Sequence, residues 1–238
     1  MAATVPVARN PPGRVSGGAA GGQSNPAPAA GGSGARAWKR AFDVAAALAA
    51  VPAAVAVIGI AAAAIRFSSP GPVFFRQWRE GYQGRWFAVW KLRTMHVDAG
   101  ERLERHLAES AAARLEWERT CKLRRDPRVI AGAGSFLRRS SLDELPQLWN
   151  VLRGEMSLVG PRPLPRYHVE RYGSEFRALR RSVRPGITGL WQVSARGAGD
   201  LRVQETLDRA YIEGWSLRLD ANVLARTLAA VIGGRGAY

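Results

Sequence analysis

Bulky apolar side chains are nearly missing from residues 1–35, which are mostly Gly, Ala, Pro and Ser. Such a segment buries no core and is expected to be a disordered tail. An uncharged run of about 22 residues, Val44–Ile65, follows, near the length that crosses the apolar core of a bilayer. It is rich in alanine and interrupted by Pro52. Cations flank both ends: Arg36, Lys39 and Arg40 before it, Arg66, Arg76 and Arg79 after it. A simple spanning helix has its cations biased to one side. Cations on both sides and a central proline suit a kinked helix that enters and leaves by one face. The residues alone leave that reading and an ordinary transmembrane anchor both open.

Beyond Ile65 the period changes. Phe67–Pro72 is a turn-rich exit. Val73–Trp78 and Trp86–Trp90 are aromatic, β-prone runs on either side of Glu80–Gly84, which predicts a hairpin. Their interleaved Arg76, Arg79, Arg85 and Lys91 suit an RNA-binding stripe or a membrane-interface belt. In Asp98–Thr120, Leu103, Leu107, Ala111 and Leu115 recur every four residues, which predicts one helix. Tyr167–Arg181 also reads as helix, and Arg184–Val193 as a turn followed by a short extended run. Leu201–Ile212 and Leu217–Ile232 are amphipathic helices, the second suited to a core or to a membrane surface. The class expected is α/β, mostly helical with a small β-hairpin.

Charge narrows the partners. The 238 residues carry 35 Lys+Arg against 19 Asp+Glu, a formal +16. So basic a chain seeks phosphates, on nucleic acid, anionic lipid or nucleotides. The lone Cys121 permits no internal disulfide and reads as a small buried hydrophobe. His96, His106 and His168 are scattered, without zinc-ligand spacing.

Candidate chemistry concentrates in Ser140–Pro163. Ser141-Leu142-Asp143-Glu144 has the S-x-x-E pattern of a capping box. A helix carrying Leu145, Leu148, Trp149 and Leu152 is expected to follow, with Pro146 in its first turns and Gly154 as its stop. On that pattern alone the two acids are helix caps. With Arg138 and Arg139 just upstream they also supply a nucleophile, a metal ligand and cations for a phosphoryl centre. Gly160-Pro161-Arg162-Pro163 closes the stretch as a stiff turn holding one cation.

The whole string Ser141–Pro163, S-L-D-E-L-P-Q-L-W-N-V-L-R-G-E-M-S-L-V-G-P-R-P, resembles the signature of the bacterial sugar transferases, the monotopic phosphoglycosyl transferases. Gly71–Gln77, Lys91-x-Arg93-Thr94-Met95, Asp126-Pro127-Arg128, Arg184–Gly189, Asp208, Tyr211, Trp215–Leu217 and the ending Gly236–Tyr238 are similar to the family too. Val51 stands where the family often has serine, and Trp191 where a small residue is common. The resemblance covers about residues 36–238, without the multi-span domain that precedes it in longer members.

The resemblance implies a tail over 1–35, a re-entrant membrane helix over 36–66 broken at Pro52, and a cytoplasmic catalytic domain over 67–238. It implies transfer of a sugar 1-phosphate from a UDP-sugar to polyprenyl (undecaprenyl) phosphate with release of UMP, the first membrane step of exopolysaccharide, capsule or O-antigen synthesis. The site would lie at the cytoplasmic face of the bacterial inner membrane, against its lipid, with homo-oligomerisation left open. Asp143 would be the nucleophile of a covalent phosphosugar intermediate, and Glu144 would hold Mg²⁺. Arg138 would bind phosphate, Arg162 between Pro161 and Pro163 the nucleotide side, and Lys91 phosphate or a structural ion pair. The basic charge then needs no nucleic acid, because the substrates and lipid are anionic. Two rivals explain parts of the pattern: a non-catalytic basic membrane or nucleic-acid binder, and a metal-dependent nucleotide-sugar diphosphate hydrolase. Nothing in the residues selects galactose, glucose or an N-acetylated sugar.

Overall fold

A computed structural model describes residues 32–120, 123–195 and 201–233. Residues 1–31 of the expected tail, Cys121 and the ending Gly236–Tyr238 lie outside the described residues.

The chain is mostly helical, and its first helix carries the rest. Helix α1 (Ser33–Ser68) is 36 residues long and starts within the segment expected to be tail. It runs through Pro52, whose missing N–H leaves the Leu48 carbonyl without its usual donor. One face is buried: Asp43, Ala47, Ala54, Ala61 and Ile65, spaced four and seven apart. The opposite face leaves Trp38, Phe42, Leu48, Val55, Ile60 and Phe67 exposed. By length and composition α1 can cross a membrane.

The small alanines let other elements approach closely. Strands β1 (Phe74–Glu80) and β2 (Trp86–Leu92) form the expected antiparallel hairpin, in register from Phe74↔Leu92 to Glu80↔Trp86. Its turn holds Gln83 at φ 56°. Phe87 and Val89 pack on Ala47 and Ala54 with Leu148, Val151 and Met156. Leu92 joins Ala61, Ile65, Ile130 and Leu137.

The expected helix over Asp98–Thr120 is two, α2 (Ala99–Glu109) and α3 (Ala111–Thr120). Ser110 is extended between them, and its Oγ accepts the Ala113 amide at 3.2 Å, capping α3. Apolar spacing alone does not register that break. Helix α4 (Ala133–Ser140) then leads into a 3₁₀ segment (Leu142–Gln147) and the short α5 (Leu148–Leu152), which ends before Gly154 at φ 78°.

A second, parallel pair was not expected from the sequence: β3 (Ser157–Val159) beside β4 (Gly186–Thr188). The connection holds α6 (Arg166–Val169) and α7 (Ser174–Arg181), separated at Gly173 rather than forming one helix over Tyr167–Arg181. After β4 come α8 (Leu190–Ser194), α9 (Leu201–Glu213) and α10 (Leu217–Ile232). Val159, Tyr211, Ile212 and Val223 form the core here, so α10 faces inward at Val223 while Leu217 and Leu228 stay exposed.

Polar contacts fix the N-terminal half of α1 to this body. The Arg40 guanidinium donates to the carbonyls of Val151 at 2.7 Å and Leu152 at 3.2 Å, at the C-terminal end of α5. Asp43 accepts from Ser157 Oγ at 2.7 Å and the Leu158 amide at 3.2 Å. Lys39 meets Asp220 of α10 at 2.5 Å. The same face of α1 thus rests on the body from Lys39 to Ile65.

Candidate active site

The site begins where α4 ends. Ser141 takes the left-handed conformation, φ 57° and ψ 16°, and turns the chain into the 3₁₀ segment. The expected capping box does not form: the Ser141 side chain makes no capping bond, and its carbonyl accepts the Glu144 amide at 3.1 Å. A left-handed residue cannot offer the extended backbone that an N-cap needs. Asp143 and Glu144 instead turn inward and are 8% and 6% exposed.

Burial of two adjacent carboxylates is sustained by cations from other parts of the chain. Lys91 of β2 reaches Glu144 Oε1 at 2.6 Å and stands 4.0 Å from Asp143 Oδ2. Arg162 reaches the same Glu144 oxygen at 3.2 Å. The two acids are therefore held differently. Glu144 is bonded from two sides, whereas no donor among the described residues hydrogen-bonds the Asp143 carboxylate. Burial pushes the Asp143 pKa up, and Lys91 opposes it. Glu144 pushes the same way as burial, while Arg138 and Arg162 pull down. Burial also lowers the pKa of Lys91, against the pull of Glu144.

Asn150 holds β2 beside the acids. It is fully buried in α5, donates to the Ala88 carbonyl at 2.8 Å and accepts the Trp90 amide at 3.3 Å. It covers a strand edge as a further strand would. Asn150→Ala leaves both backbone groups unpaired and is expected to cost about 1–3 kcal/mol per orphaned group. Denaturant unfolding of the variant checks this.

Arg162 has its own mount. The Gly160 amide donates to the Thr188 carbonyl, and the Gly186 amide to the Pro161 carbonyl, each at 2.9 Å. A Cβ on Gly160 would lie 2.6 Å from the Arg184 carbonyl oxygen and 2.8 Å from the Gly186 nitrogen. The Gly-Pro-Arg-Pro turn and the Arg184–Gly189 block thus interlock backbone to backbone. Arg180 donates to the Arg162 carbonyl at 2.5 Å and is paired with Asp208 of α9. Burial raises the Asp208 pKa and Arg180 restrains it.

The matching family model, Bacterial sugar transferase, covers residues 34–234. The chain belongs to the bacterial sugar transferases. This sugar transferase is 42% identical over 200 residues to the exopolysaccharide production protein ExoY of Rhizobium meliloti, covering 84% of this chain and 88% of that one. It is 43% identical over 168 residues to an undecaprenyl-phosphate galactose phosphotransferase of Salmonella typhimurium, covering 71% and 35%. It is 40% identical over 215 residues to an undecaprenyl-phosphate glucose phosphotransferase of Komagataeibacter xylinus, covering 84% and 37%. The chain spans only about a third of the length of the last two.

Of the residues singled out in the sequence, the fold of this sugar transferase gathers Lys91, Asp143, Glu144 and Arg162. Arg138 influences Asp143 by charge, without a hydrogen bond or ion pair among the described residues. Pro161 is part of the interlocked turn, and Pro163 precedes Leu164, whose carbonyl accepts the Glu80 amide at 3.2 Å. Pro52 lies on the exposed side of α1, between the buried Ala47 and Ala54. Arg180 and Asn150 support the site without having been singled out. An asparagine inside the apolar run Leu148–Leu152 was the one signal for the latter.

Proposed function

We propose that this sugar transferase moves a sugar 1-phosphate from a UDP-sugar to polyprenyl phosphate and releases UMP, through a phosphosugar carried on Asp143. The observation behind this reading is the asymmetry of the buried acids. Glu144 is bonded by Lys91 and Arg162, while Asp143 has charge support from Lys91 and, among the described residues, no hydrogen bond that would occupy it. Once ionised, a carboxylate that no hydrogen bond occupies can act as a nucleophile.

In the first step an Asp143 oxygen bonds to the sugar-bearing phosphorus. The bond from that phosphorus to the bridging oxygen breaks, and UMP leaves with the electron pair. In the second step an oxygen of polyprenyl phosphate bonds to the same phosphorus, and the Asp143 carboxylate departs. The products are the polyprenyl diphosphate sugar and the free enzyme. Lys91 and Arg162 hold Glu144 in place and offset the charge that develops on the phosphates.

Mg²⁺ suits this donor set. No group of three or more metal-ligating side chains occurs among the described residues. Mg²⁺ takes much of its octahedron from water and substrate phosphates and needs only one or two carboxylates. Glu144 is the side chain that would hold it, and the metal would neutralise diphosphate charge.

The relatives' names pair undecaprenyl phosphate with galactose or glucose, which supports a polyprenyl acceptor and a hexose donor here. The test offers a panel of UDP-sugars, Mg²⁺ and undecaprenyl phosphate, and reads UMP. Without lipid, the intact mass should rise by one phosphosugar, located on Asp143. A diphosphate hydrolase would instead release free sugar 1-phosphate with no lipid present. Absence of any adduct, together with kinetics that require both substrates at once, would favour direct displacement.

We also read α1 as re-entrant, at the cytoplasmic face of the inner membrane. Contacts from Lys39 to Ile65 cover roughly 39 Å of helix at 1.5 Å per residue. That exceeds the ~30 Å bilayer core, and a spanning helix cannot rest on a one-sided body over such a length. Ser33→Cys in a Cys121→Ser background is expected to resist an impermeant thiol reagent in intact cells. Labelling there would put the N-terminus outside and sink the re-entrant reading.

A further inference from the structure

Among the described residues Arg79 makes no ion pair, although it feels the charge of Glu144. In the hairpin Phe75 pairs with Lys91, Gln77 with Val89 and Arg79 with Phe87. Opposed residues share a face and alternate along each strand. Gln77 and Arg79 therefore lie on the face that carries Lys91, the face that meets the 3₁₀ segment. Arg79 donates to Gln77 Oε1 at 2.6 Å. That bond turns the guanidinium back along the strand, toward the Lys91 end. The backbone brings the other side close: the Glu80 amide donates to the Leu164 carbonyl, two residues after Arg162.

Arg79 is half-buried there. Burial and the charge of Arg162 lower its pKa to about 10, with Tyr167 and Glu144 pulling the other way. No carboxylate among the described residues lies within ion-pair distance of it. Four cations, Lys91, Arg79, Arg138 and Arg162, thus face two carboxylates. Clustered like charges withdrawn from water are unfavourable unless an anion joins them.

We propose that Arg79, aimed by Gln77, binds non-bridging oxygens of a substrate phosphate ester together with Arg162. The planar fork of a guanidinium suits two oxygens of one phosphate. Two substrates present that chemistry, the nucleotide phosphate of the donor and the monophosphate of the prenyl acceptor. This inference rests on the proposed reaction, so its test includes binding that needs no turnover.

The variants are Arg79→Gln, Arg79→Lys and Gln77→Leu in the full chain. UMP and a short-chain prenyl phosphate are titrated separately, and Tm is recorded. Arg79→Gln should weaken one ligand roughly ten- to a hundredfold, the range for losing hydrogen bonds to a charged group. Arg79→Lys should recover part of the loss, and Gln77→Leu should lose several-fold with all charges kept. Loss toward UMP assigns Arg79 to the donor, and loss toward prenyl phosphate assigns it to the acceptor. Tm should hold or rise in Arg79→Gln, because a half-buried charge without an ion-pair partner among the described residues is gone. A fall in Tm with both ligands bound as before would make Arg79 a structural residue and overturn the inference. If wild-type enzyme forms no adduct while the binding losses appear, the covalent reading fails and the Arg79 site stands.

Discussion

Asp143→Asn is expected to leave a folded protein that releases no UMP and takes up no phosphosugar mass. Loss of a nucleophile that forms the intermediate costs on the order of 10⁴-fold or more in rate. Asparagine matches the volume of aspartate, and Lys91 keeps its closer partner, Glu144 at 2.6 Å. Stability should therefore survive. The sign follows from the raised pKa of Asp143. Such a carboxylate stabilises the fold fully below its unfolded pKa and loses that contribution as the pH rises through the folded pKa. The neutral isostere removes the loss, so thermal unfolding at neutral pH should show an equal or higher Tm than wild type. Full UMP release from Asp143→Asn would remove Asp143 as nucleophile. The same shift governs the wild-type rate. Attack needs the ionised carboxylate, so the acid limb of the pH profile should lie above the ordinary carboxylate range. Lys91 is the largest influence favouring the ionised form. Lys91→Met should therefore move that limb to higher pH, besides lowering the rate.

Gly186→Ala is expected to be the most damaging single methyl group. Its Cβ would run into the Gly160 backbone and the Thr188 carbonyl oxygen. These are backbone atoms within the β3–β4 pair, so no side chain can swing away. Overpacking commonly costs about 1–3 kcal/mol, and a collision between backbones belongs at or beyond the top of that range. The β3–β4 pair must then part, which shifts Arg162 away from Glu144. Low yield, a depressed Tm and lost activity should appear together. Gly100→Ala is the control: it sits in α2 with nothing within 4 Å of its added Cβ. It should be neutral or gain up to about 1 kcal/mol.

The sequence makes some of this legible and hides the rest for physical reasons. The hairpin and the last two helices follow from strong local periodicity and turn residues. Asp143 and Glu144 stand out as a pair, yet S-x-x-E misleads about what they do. A cap is a contact over three residues, whereas the fold turns these acids toward Lys91, 53 residues away. Ser141 gives up the capping geometry because the end of α4 needs a left-handed residue. The breaks at Ser110 and Gly173 are likewise invisible to apolar spacing. Arg79 and Arg180 carry no local signature at all. Their meaning comes from strand register in one case and from the Arg162 carbonyl in the other. The approach of Gly160 to Gly186 is similarly unreadable, since spacing does not say that two glycine-proline turns touch.

The bonds that Arg40 and Asp43 make with α5 and β3 have a consequence for how the protein matures. The apolar helix is part of the catalytic body rather than a tether, because it holds the ends of the very segments that carry Asp143 and Arg162. Synthesis delivers this helix first, and the segments it braces emerge only about a hundred residues later. Biogenesis at the bilayer and assembly of the catalytic centre then become one event. A chain released before its helix is seated has no braced centre with which to act in the wrong place.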